Sequence, residues 1–256
     1  MFASVNGTTL NYRSVGEGPP VVFVHGLGGS ANVWHGVIGA MSQHHHCVAM
    51  DLRGHGRSDG NGTVSIENMA KDVELLIRHL ELPTVTLVAH SMGTLVAQYL
   101  AQDAPELVGK LVLIGAISHF DPDTQQAYRD RADAVAADGL DDLVDPWLEG
   151  AVSPQTHALQ AGGVGLLREL FLRNDPQSYA KATRAMAEAP QVRRDELGQQ
   201  VLVMVGAHDR STPLAMAEEL HRTIPVSRVE VVADVAHWIP VEAPGRVAAS
   251  ILEFLT

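Results

Sequence analysis

The sequence predicts an α/β protein in which helices cover both faces of a mostly parallel central sheet and a helical lid is inserted. Short apolar runs, typical of strands buried on both faces, alternate with segments of helical periodicity. Nearly eighty residues, from about 118 to 196, contain no such run. The strand pattern then returns before the C terminus, as expected when helices interrupt one sheet.

The first elements are a hairpin and a buried strand. Asn6-Gly7 is a turn signal between two strand-like runs. Val21–Val24 follows as a continuous β-branched and aromatic run, and it ends in the stretch His25-Gly-Leu-Gly-Gly29. Glycines after a buried strand let backbone N–H groups approach a ligand closely. Taken alone, this stretch fits a plain strand-to-helix loop better. Paired with the serine turn described below, it is where we expect the N–H of Leu27 to serve as a second oxyanion donor.

The next segment contains a predicted strand, a polar turn, a helix and a second strand. Cys47–Met50 is a predicted strand, and the polar turn Asp51 to Ser58 after it is expected to form a network that fixes the loop. Apolar residues at helical spacing from 65 to 80 predict a helix with Ser65 as its N-cap. Val85–Val88 is then a short buried strand.

That strand runs into Ala89-His-Ser-Met-Gly93, a variant of the G-x-S-x-G nucleophile elbow with alanine in the first glycine position. Small residues are needed because the serine occupies a strained strand-to-helix turn, where nearby bulk would collide with backbone. Such a turn lifts the Ser91 hydroxyl into a cleft and directs the N–H of Met92 at the reacting oxygen. The pentapeptide alone also fits a serine in an ordinary strand-to-helix loop.

Residues 118–196 are predicted to form the lid, and residues 1–117 together with 197–256 the core. Leu111–Ile114 is the last strand before the pattern changes to alanine-rich helical pieces. Prolines interrupt these pieces at Pro122, Pro146, Pro154, Pro176 and Pro190. The large apolar side chains of the lid face either the substrate or one another, and Trp147 is the one that we expect to contact substrate.

Three chemically useful residues each follow a predicted strand. Ser91 follows the strand at 85–88, Asp209 follows Val201–Val205, and His237 follows Val229–Val232. Because the carboxyl ends of parallel strands meet at one edge of a sheet, these side chains can converge although they are distant in sequence. The expected chemistry is nucleophilic attack by Ser91, with His237 as base and Asp209 orienting the imidazole.

Other candidates complete the expected site. Asp234 stands three residues before His237, but an acid aimed from a neighbouring strand fits the orienting role better. The expected substrate contacts are His25, Gly26, His90, Trp147 and Trp238. No His, Cys, Asp and Glu cluster has metal-ligand spacing, and no phosphate-binding glycine motif follows a strand, so neither a metal nor a cofactor is expected.

The composition of the chain limits the kinds of partner and the compartment that we expect. The net charge of −12 argues against nucleic acid or an anionic membrane as partner. The single Cys47 excludes an internal disulfide framework, and neither a secretory signal nor an apolar run of membrane-spanning length is visible. We expect a cytoplasmic protein that acts on a small molecule, and its oligomeric state stays open.

The sequence resembles the α/β-hydrolase superfamily over essentially its whole length, in five motifs. They are His25-Gly-Leu-Gly-Gly29, Asp51 to Ser58, Ala89 to Gly93, Gly206-Ala-His-Asp209 with Thr212-Pro213, and Ala236-His-Trp238. The resemblance implies the α/β-hydrolase fold and a serine nucleophile. Ala89 and Ala236 replace glycines usual in the family. Ser91 argues against the haloalkane dehalogenase and epoxide hydrolase branches, which use Asp there.

Within the superfamily, the sequence is similar in style to 3-oxoadipate enol-lactonases and small-ester carboxylesterases. The similar stretches are Tyr128 to Gly139, Asp145-Pro-Trp147 and Asn174 to Tyr179. This resemblance implies hydrolysis of a small carboxylic ester or lactone through an acyl-enzyme. A C–C bond hydrolase of vinylogous diketones, an acyl transferase or perhydrolase, and a small-molecule receptor with vestigial hydrolysis remain alternatives.

Overall fold

One eight-stranded sheet organises the protein, and the computed structural model describes residues 1–256. The strands are β1 Phe2–Val5, β2 Thr8–Val15, β3 Pro20–Val24, β4 His46–Met50, β5 Val85–His90, β6 Val108–Ile114, β7 Gln200–Gly206 and β8 Ser227–Val232. Their order across the sheet is β1-β2-β4-β3-β5-β6-β7-β8. The pairs β1–β2 and β2–β4 are antiparallel, and every other pair is parallel. The predicted α/β class is confirmed.

Eleven α-helices accompany the sheet. They are α1 His35–Met41, α2 Ile66–His79, α3 Met92–Asp103, α4 Pro122–Asp138, α5 Asp141–Ala151, α6 Pro154–Leu159, α7 Ala161–Leu172, α8 Pro176–Ala187, α9 Leu214–Thr223, α10 Ile239–Glu242 and α11 Pro244–Leu255. Helix α1 packs against α11, and α2 packs against α3. None of the helices combines the length and apolar character needed to cross a membrane.

Local sequence signals explain the ends of several elements. Asn6 and Gly7 have φ values of 47° and 70°, the positive values that a two-residue hairpin turn requires, and Asn-Gly tolerates them best. The hydroxyl of Ser65 accepts a hydrogen bond from the N–H of Asn68 at 3.2 Å, so the predicted N-cap of α2 is confirmed.

Five helices, α4 to α8, fill the segment between β6 and β7, and we call residues 118–196 the helical insertion. Pro122, Pro154 and Pro176 each occupy the first position of a helix, where a missing N–H costs nothing. The prediction that Pro146 interrupts a helix is wrong, because Pro146 lies inside α5. The buried side chains of Val144 and Leu148 pack that helix into the core, and this packing outweighs one lost backbone hydrogen bond.

Candidate active site

Ser91 forms the turn between β5 and α3. Its φ and ψ are 51° and −123°, a backbone conformation that costs a non-glycine residue about 1–3 kcal/mol. The turn is held because the N–H of Ser91 donates to the carbonyl of Ile114 in the neighbouring strand at 2.9 Å. The sharp turn leaves the Ser91 side chain half-buried at the carboxyl edge of the sheet.

The small residues around this turn are required to different degrees. A methyl group on Gly93 would lie 2.5 Å from the carbonyl oxygen of His25 and 2.8 Å from that of Val24. Both atoms are backbone, so neither can rotate away. Ala89, by contrast, is completely buried within β5 and its methyl group is accommodated there. The second glycine of the motif is therefore the one that the structure demands.

Replacing Gly93 with alanine is expected to destabilise the protein by about 3 kcal/mol, the upper end of overpacking costs, because backbone must move to make room. Urea denaturation followed by circular dichroism measures the change. The matched control is Gly165→Ala in α7, where a methyl group meets no atom within 4 Å and helix propensity should rise. Equal stability of the two variants would contradict the steric argument.

An unbroken chain of hydrogen bonds joins the three residues that the sequence placed at strand ends. The Oγ atom of Ser91 lies 2.9 Å from Nε2 of His237, and Nδ1 of His237 lies 2.9 Å from Oδ2 of Asp209. His237 and Asp209 are almost completely buried. Asp234, the alternative acid, is exposed. The structure thus brings Ser91, His237 and Asp209 together, in an arrangement able to move a proton from the serine hydroxyl to the imidazole.

The surroundings of Asp209 keep its carboxylate ionised. Oδ1 accepts the N–H groups of Ser211 and Thr212, both at 2.9 Å, and Oδ2 accepts the Thr212 hydroxyl at 2.7 Å besides the imidazole. Burial alone would raise the pKa of Asp209, but the charge and hydrogen bond of His237, together with the Thr212 donors, hold that pKa below its usual value. An ionised Asp209 requires a proton on Nδ1 of His237, which leaves Nε2 free to accept the serine proton.

The two expected oxyanion donors lie on either side of Ser91. Met92 is the first residue of α3, so its N–H has no acceptor within the helix. On the other side, a methyl group on Gly26 would lie only 2.8 Å from Cβ of Ser91, which brings the loop that contains Leu27 directly against the serine. Both N–H groups thus belong to segments that adjoin Ser91, as the two oxyanion donors expected from the sequence must.

A cavity with a free volume of about 30 Å³ opens above Ser91 and His237. From the core it is lined by Leu27, Ser91, Ile117, Ser211, Thr212, His237 and Trp238. From the helical insertion it is lined by Tyr128, Arg131, Trp147, Phe171, Tyr179 and Met186. Both predicted tryptophan contacts thus line the cavity. This volume has room for only one or two water molecules, so side chains that line the cavity must move to admit a substrate.

Three of the expected substrate contacts are corrected, because His25, Gly26 and His90 do not line this cavity. His25 is buried, and its ring donates to the carbonyl of Gly26 at 2.7 Å and accepts the N–H of Leu52 at 2.9 Å. It therefore fastens two loops together. Gly26 provides only the close backbone approach to the serine.

His90 is completely buried and is not among the residues that line the cavity. Its Nε2–H donates to the carbonyl of His237 at 2.8 Å, and its ring packs against that of Trp238 with 4.6 Å between centroids. Burial, reinforced by the neighbouring His237, lowers the pKa of His90 to about 3. His90 is consequently a neutral support for the His237 backbone.

Sequence reasoning missed the polar side chains that the insertion contributes. Tyr128 and Arg131 lie on one face of α4, as their separation by three residues requires, and Tyr179 on α8 meets the guanidinium of Arg131 through its hydroxyl. The spacing of Tyr128 and Arg131 was visible in the sequence. Nothing in it distinguished Arg131 from Arg129, which points along the same helix to Gln126.

Comparison with known proteins gives matches along the whole chain. A family model described as alpha/beta hydrolase fold matches residues 19–244. An (E)-2-((N-methylformamido)methylene)succinate hydrolase of Acinetobacter baylyi is 26% identical over 255 residues, which covers 98% of this chain and 95% of that protein. The 3-oxoadipate enol-lactonase 2 of the same organism is 29% identical over 241 residues, covering 92% and 88% of the two chains.

Solved structures superimpose closely. An esterase from Thermogutta terrifontis, determined with malate bound, has a TM-score of 0.93 and 28% identity, covering 99% of this chain and 96% of that one. The enol-lactonase from Burkholderia xenovorans LB400 has a TM-score of 0.93 and 25% identity, covering 100% and 99%. The order of strands in the sheet, the turn that contains Ser91 and the family match over residues 19–244 all indicate the same fold. This chain belongs to the alpha/beta hydrolase fold family.

Proposed function

We propose that this protein hydrolyses a small carboxylic ester or lactone through an acyl-enzyme formed on Ser91. The observation that carries the proposal is the hydrogen-bonded chain from the hydroxyl of Ser91 through His237 to Asp209, with 2.9 Å at each step. Ser91 also lies beside the loop of Leu27 and at the N terminus of α3, under a cavity. The similarity to an enol-lactonase and to an esterase also supports cleavage of an ester or lactone bond.

In the first half of the reaction, Nε2 of His237 takes the proton of Ser91 as its Oγ attacks the carbonyl carbon. The carbonyl oxygen becomes negatively charged and accepts hydrogen bonds from the N–H groups of Leu27 and Met92. Asp209 stabilises the imidazolium that forms. When the tetrahedral intermediate collapses, the C–O bond breaks and the imidazolium gives its proton to the departing alkoxide. An open ester releases an alcohol, whereas a lactone keeps the new hydroxyl on the acyl group.

In the second half, water repeats the attack. His237 takes a proton from the water molecule as its oxygen attacks the acyl carbon, and the same two N–H groups hold the oxyanion. Collapse returns the proton to Oγ of Ser91 and releases the carboxylic acid. Neither half of the cycle is an oxidation or a reduction, so the substrate, one water molecule and the residues of this site account for every atom and proton.

A panel of substrates tests which kind of bond the protein cleaves. Short-chain p-nitrophenyl esters and five-membered lactones should be hydrolysed, with products identified by mass spectrometry. A C–C bond hydrolase would instead cleave vinylogous diketones and leave simple esters nearly untouched. Tight binding of a panel member without turnover would favour the receptor alternative. Either of the last two results would contradict ester or lactone hydrolysis.

The charge of Arg131 indicates which class of ester or lactone the site would bind. Its guanidinium is positioned between aromatic rings, with Cζ 5.9 Å from the ring centroid of Trp147 and 5.6 Å from that of Tyr179. Its buried Nε–H has no hydrogen-bond partner. The neighbouring acid Asp133 pairs with Arg184 instead. A cation without a carboxylate partner thus lines the cavity that contains Ser91.

A substrate carboxylate would supply the missing partner. Arginine binds carboxylates through paired N–H groups, and removing water from such a pair strengthens it. The relatives support an anionic substrate, since their names include a succinate and 3-oxoadipate and one of the solved structures contains malate. We therefore extend the proposal to an ester or lactone that carries a second, free carboxylate.

Changing Arg131 to glutamine is expected to reduce kcat/KM for mono-p-nitrophenyl succinate by about 10–100-fold, the effect of one lost charged hydrogen-bonding partner. The neutral p-nitrophenyl pentanoate, of nearly the same length, should be affected less than about threefold, because it has no carboxylate for the guanidinium to bind. Arg129→Gln is the matched control on the same helix, since its guanidinium contacts Gln126. Equal losses with both substrates would refute a carboxylate site at Arg131.

A further inference from the structure

Glu242 is a buried acid that the proposed chemistry does not use. It is the last residue of α10, and its side chain is only 3% exposed. A buried carboxylate is stable only when its oxygens receive hydrogen bonds or a cation. Both oxygens of Glu242 accept backbone N–H groups, and these come from two different parts of the protein.

One of these donors belongs to the loop that carries His237. Oε1 of Glu242 accepts the N–H of Ala236 at 3.1 Å, and Ala236 is the residue directly before His237. Oε2 accepts the N–H of Ser153 at 2.8 Å, in the helical insertion between α5 and α6. The carboxylate therefore bridges the insertion and the His237 loop.

Two further hydrogen bonds join the same parts of the protein. The N–H of His237 itself donates to the carbonyl of Ala151, at the end of α5, at 3.0 Å. The side chain of Gln160 donates to the backbone carbonyl of Glu242 at 3.0 Å. The N–H of His237 is thus held from the side of the insertion, whereas its carbonyl is held by His90 and its ring by Asp209 from the side of the core.

We propose that Glu242 is a positioning residue, which couples docking of the helical insertion to the placement of the His237 imidazole. This role presupposes the hydrolysis proposed above. The imidazole must stand within hydrogen-bond reach of Ser91 and of the departing oxygen, and a shift of about 1 Å in such geometry can cost 10²-fold in rate. A fixed carboxylate that spans both parts keeps the backbone at Ala236 and His237 from shifting when side chains that line the cavity move to admit a substrate.

The main variant is Glu242→Gln, which keeps the shape of the side chain but turns an N–H donor towards one of the two backbone N–H groups. We expect kcat for a short-chain p-nitrophenyl ester to fall by about 10–100-fold, in line with a misplacement of under 1 Å, while KM changes little. The pH dependence of kcat should shift with it, because the environment of the imidazole changes. Thermal unfolding checks that the variant is folded.

A second pair of variants isolates the contact from a position remote from Ser91. Ser153 has φ −68° and ψ 149°, so proline fits its backbone, but Ser153→Pro removes the N–H that binds Glu242. Ser153→Ala is the matched control, since it loses the same hydroxyl cap of α6 yet keeps the N–H. We expect kcat of Ser153→Pro to fall at least threefold below that of Ser153→Ala, as a partial displacement of the imidazole requires.

Histidine ¹⁵N NMR spectra separate this role from the hydrolysis on which it depends. The imidazole signal of His237, assigned by its loss in His237→Gln, should shift in Glu242→Gln and in Ser153→Pro but not in Ser153→Ala. A wild-type protein without esterase activity would refute the proposed function, and the spectra would still report whether Glu242 positions the ring. Unchanged kcat, pH profile and imidazole signal in folded Glu242→Gln would refute the positioning role.

Discussion

Replacing Ser91 with alanine is expected to lower kcat for short-chain p-nitrophenyl esters by about 10⁶-fold, as loss of the nucleophile does in serine proteases. The expectation follows from the geometry, because the Ser91 hydroxyl is hydrogen-bonded to Nε2 of His237. Initial rates of p-nitrophenolate release from wild type and variant, measured side by side, give the ratio. A variant that keeps wild-type activity would show that another group attacks the ester.

Ser91→Gly serves as the companion variant because it separates activity from stability. It loses the same hydroxyl, but glycine adopts φ 51° without the steric cost that Cβ imposes. We expect Ser91→Gly to be as inactive as Ser91→Ala and more stable than it by about 1–3 kcal/mol, the strain of such a backbone conformation. Equal stability of the two variants in urea would argue that the turn is unstrained.

The sheet and the serine turn could be predicted because they depend on local signals. A strand buried on both faces must be largely apolar. Val21–Val24 is apolar at every position, and Val85–Val88 is apolar at every position except the half-buried Thr86. The turn at Ser91 needs Gly93 for a steric reason that any sequence with this turn must obey. Convergence of Ser91, Asp209 and His237 followed from the rule that parallel strands share one carboxyl edge.

The lining of the cavity could not be predicted, because it depends on how five helices of the insertion pack. Tertiary contacts decide which residues of each of these helices face the cleft. Trp147 was expected in the cavity, but Tyr128, Arg131 and Tyr179 were not identified, although they are the polar residues that the insertion contributes to it. The spacing of residues along a helix shows which of them share a face. It does not show whether that face is turned towards the cleft.

The histidines next to motifs illustrate a second limit. His25 and His90 adjoin the two turns that meet at Ser91, and proximity in sequence suggested contact with substrate. Consecutive residues leaving a strand point in opposite directions, so the neighbour of a residue that faces the cleft faces the interior. Both rings are buried, and burial lowers the pKa of each, so both side chains stay neutral under the loops.

Changing Asp209 to asparagine is expected to lower kcat by about 10⁴-fold, as the equivalent change does in serine proteases. The hydrogen bonds of Asp209 explain this expected loss. Oδ1 accepts two backbone N–H groups from Ser211 and Thr212, so the asparagine oxygen must take that position and its NH₂ must face His237. An NH₂ donor forces Nδ1 to become the acceptor and moves the ring proton to Nε2. That tautomer cannot take a proton from Ser91.

Steady-state kinetics with the same p-nitrophenyl esters measure the loss, and thermal unfolding checks that the fold survives. Asp234→Asn is the matched control, because it removes one exposed acid from the loop of His237 without touching the imidazole. We expect it to keep wild-type kcat. If Asp234→Asn lost as much activity as Asp209→Asn, the loop charge rather than the tautomer of His237 would govern the reaction. A hundredfold loss or less in Asp209→Asn would mean that the imidazole is oriented mainly by its backbone contacts.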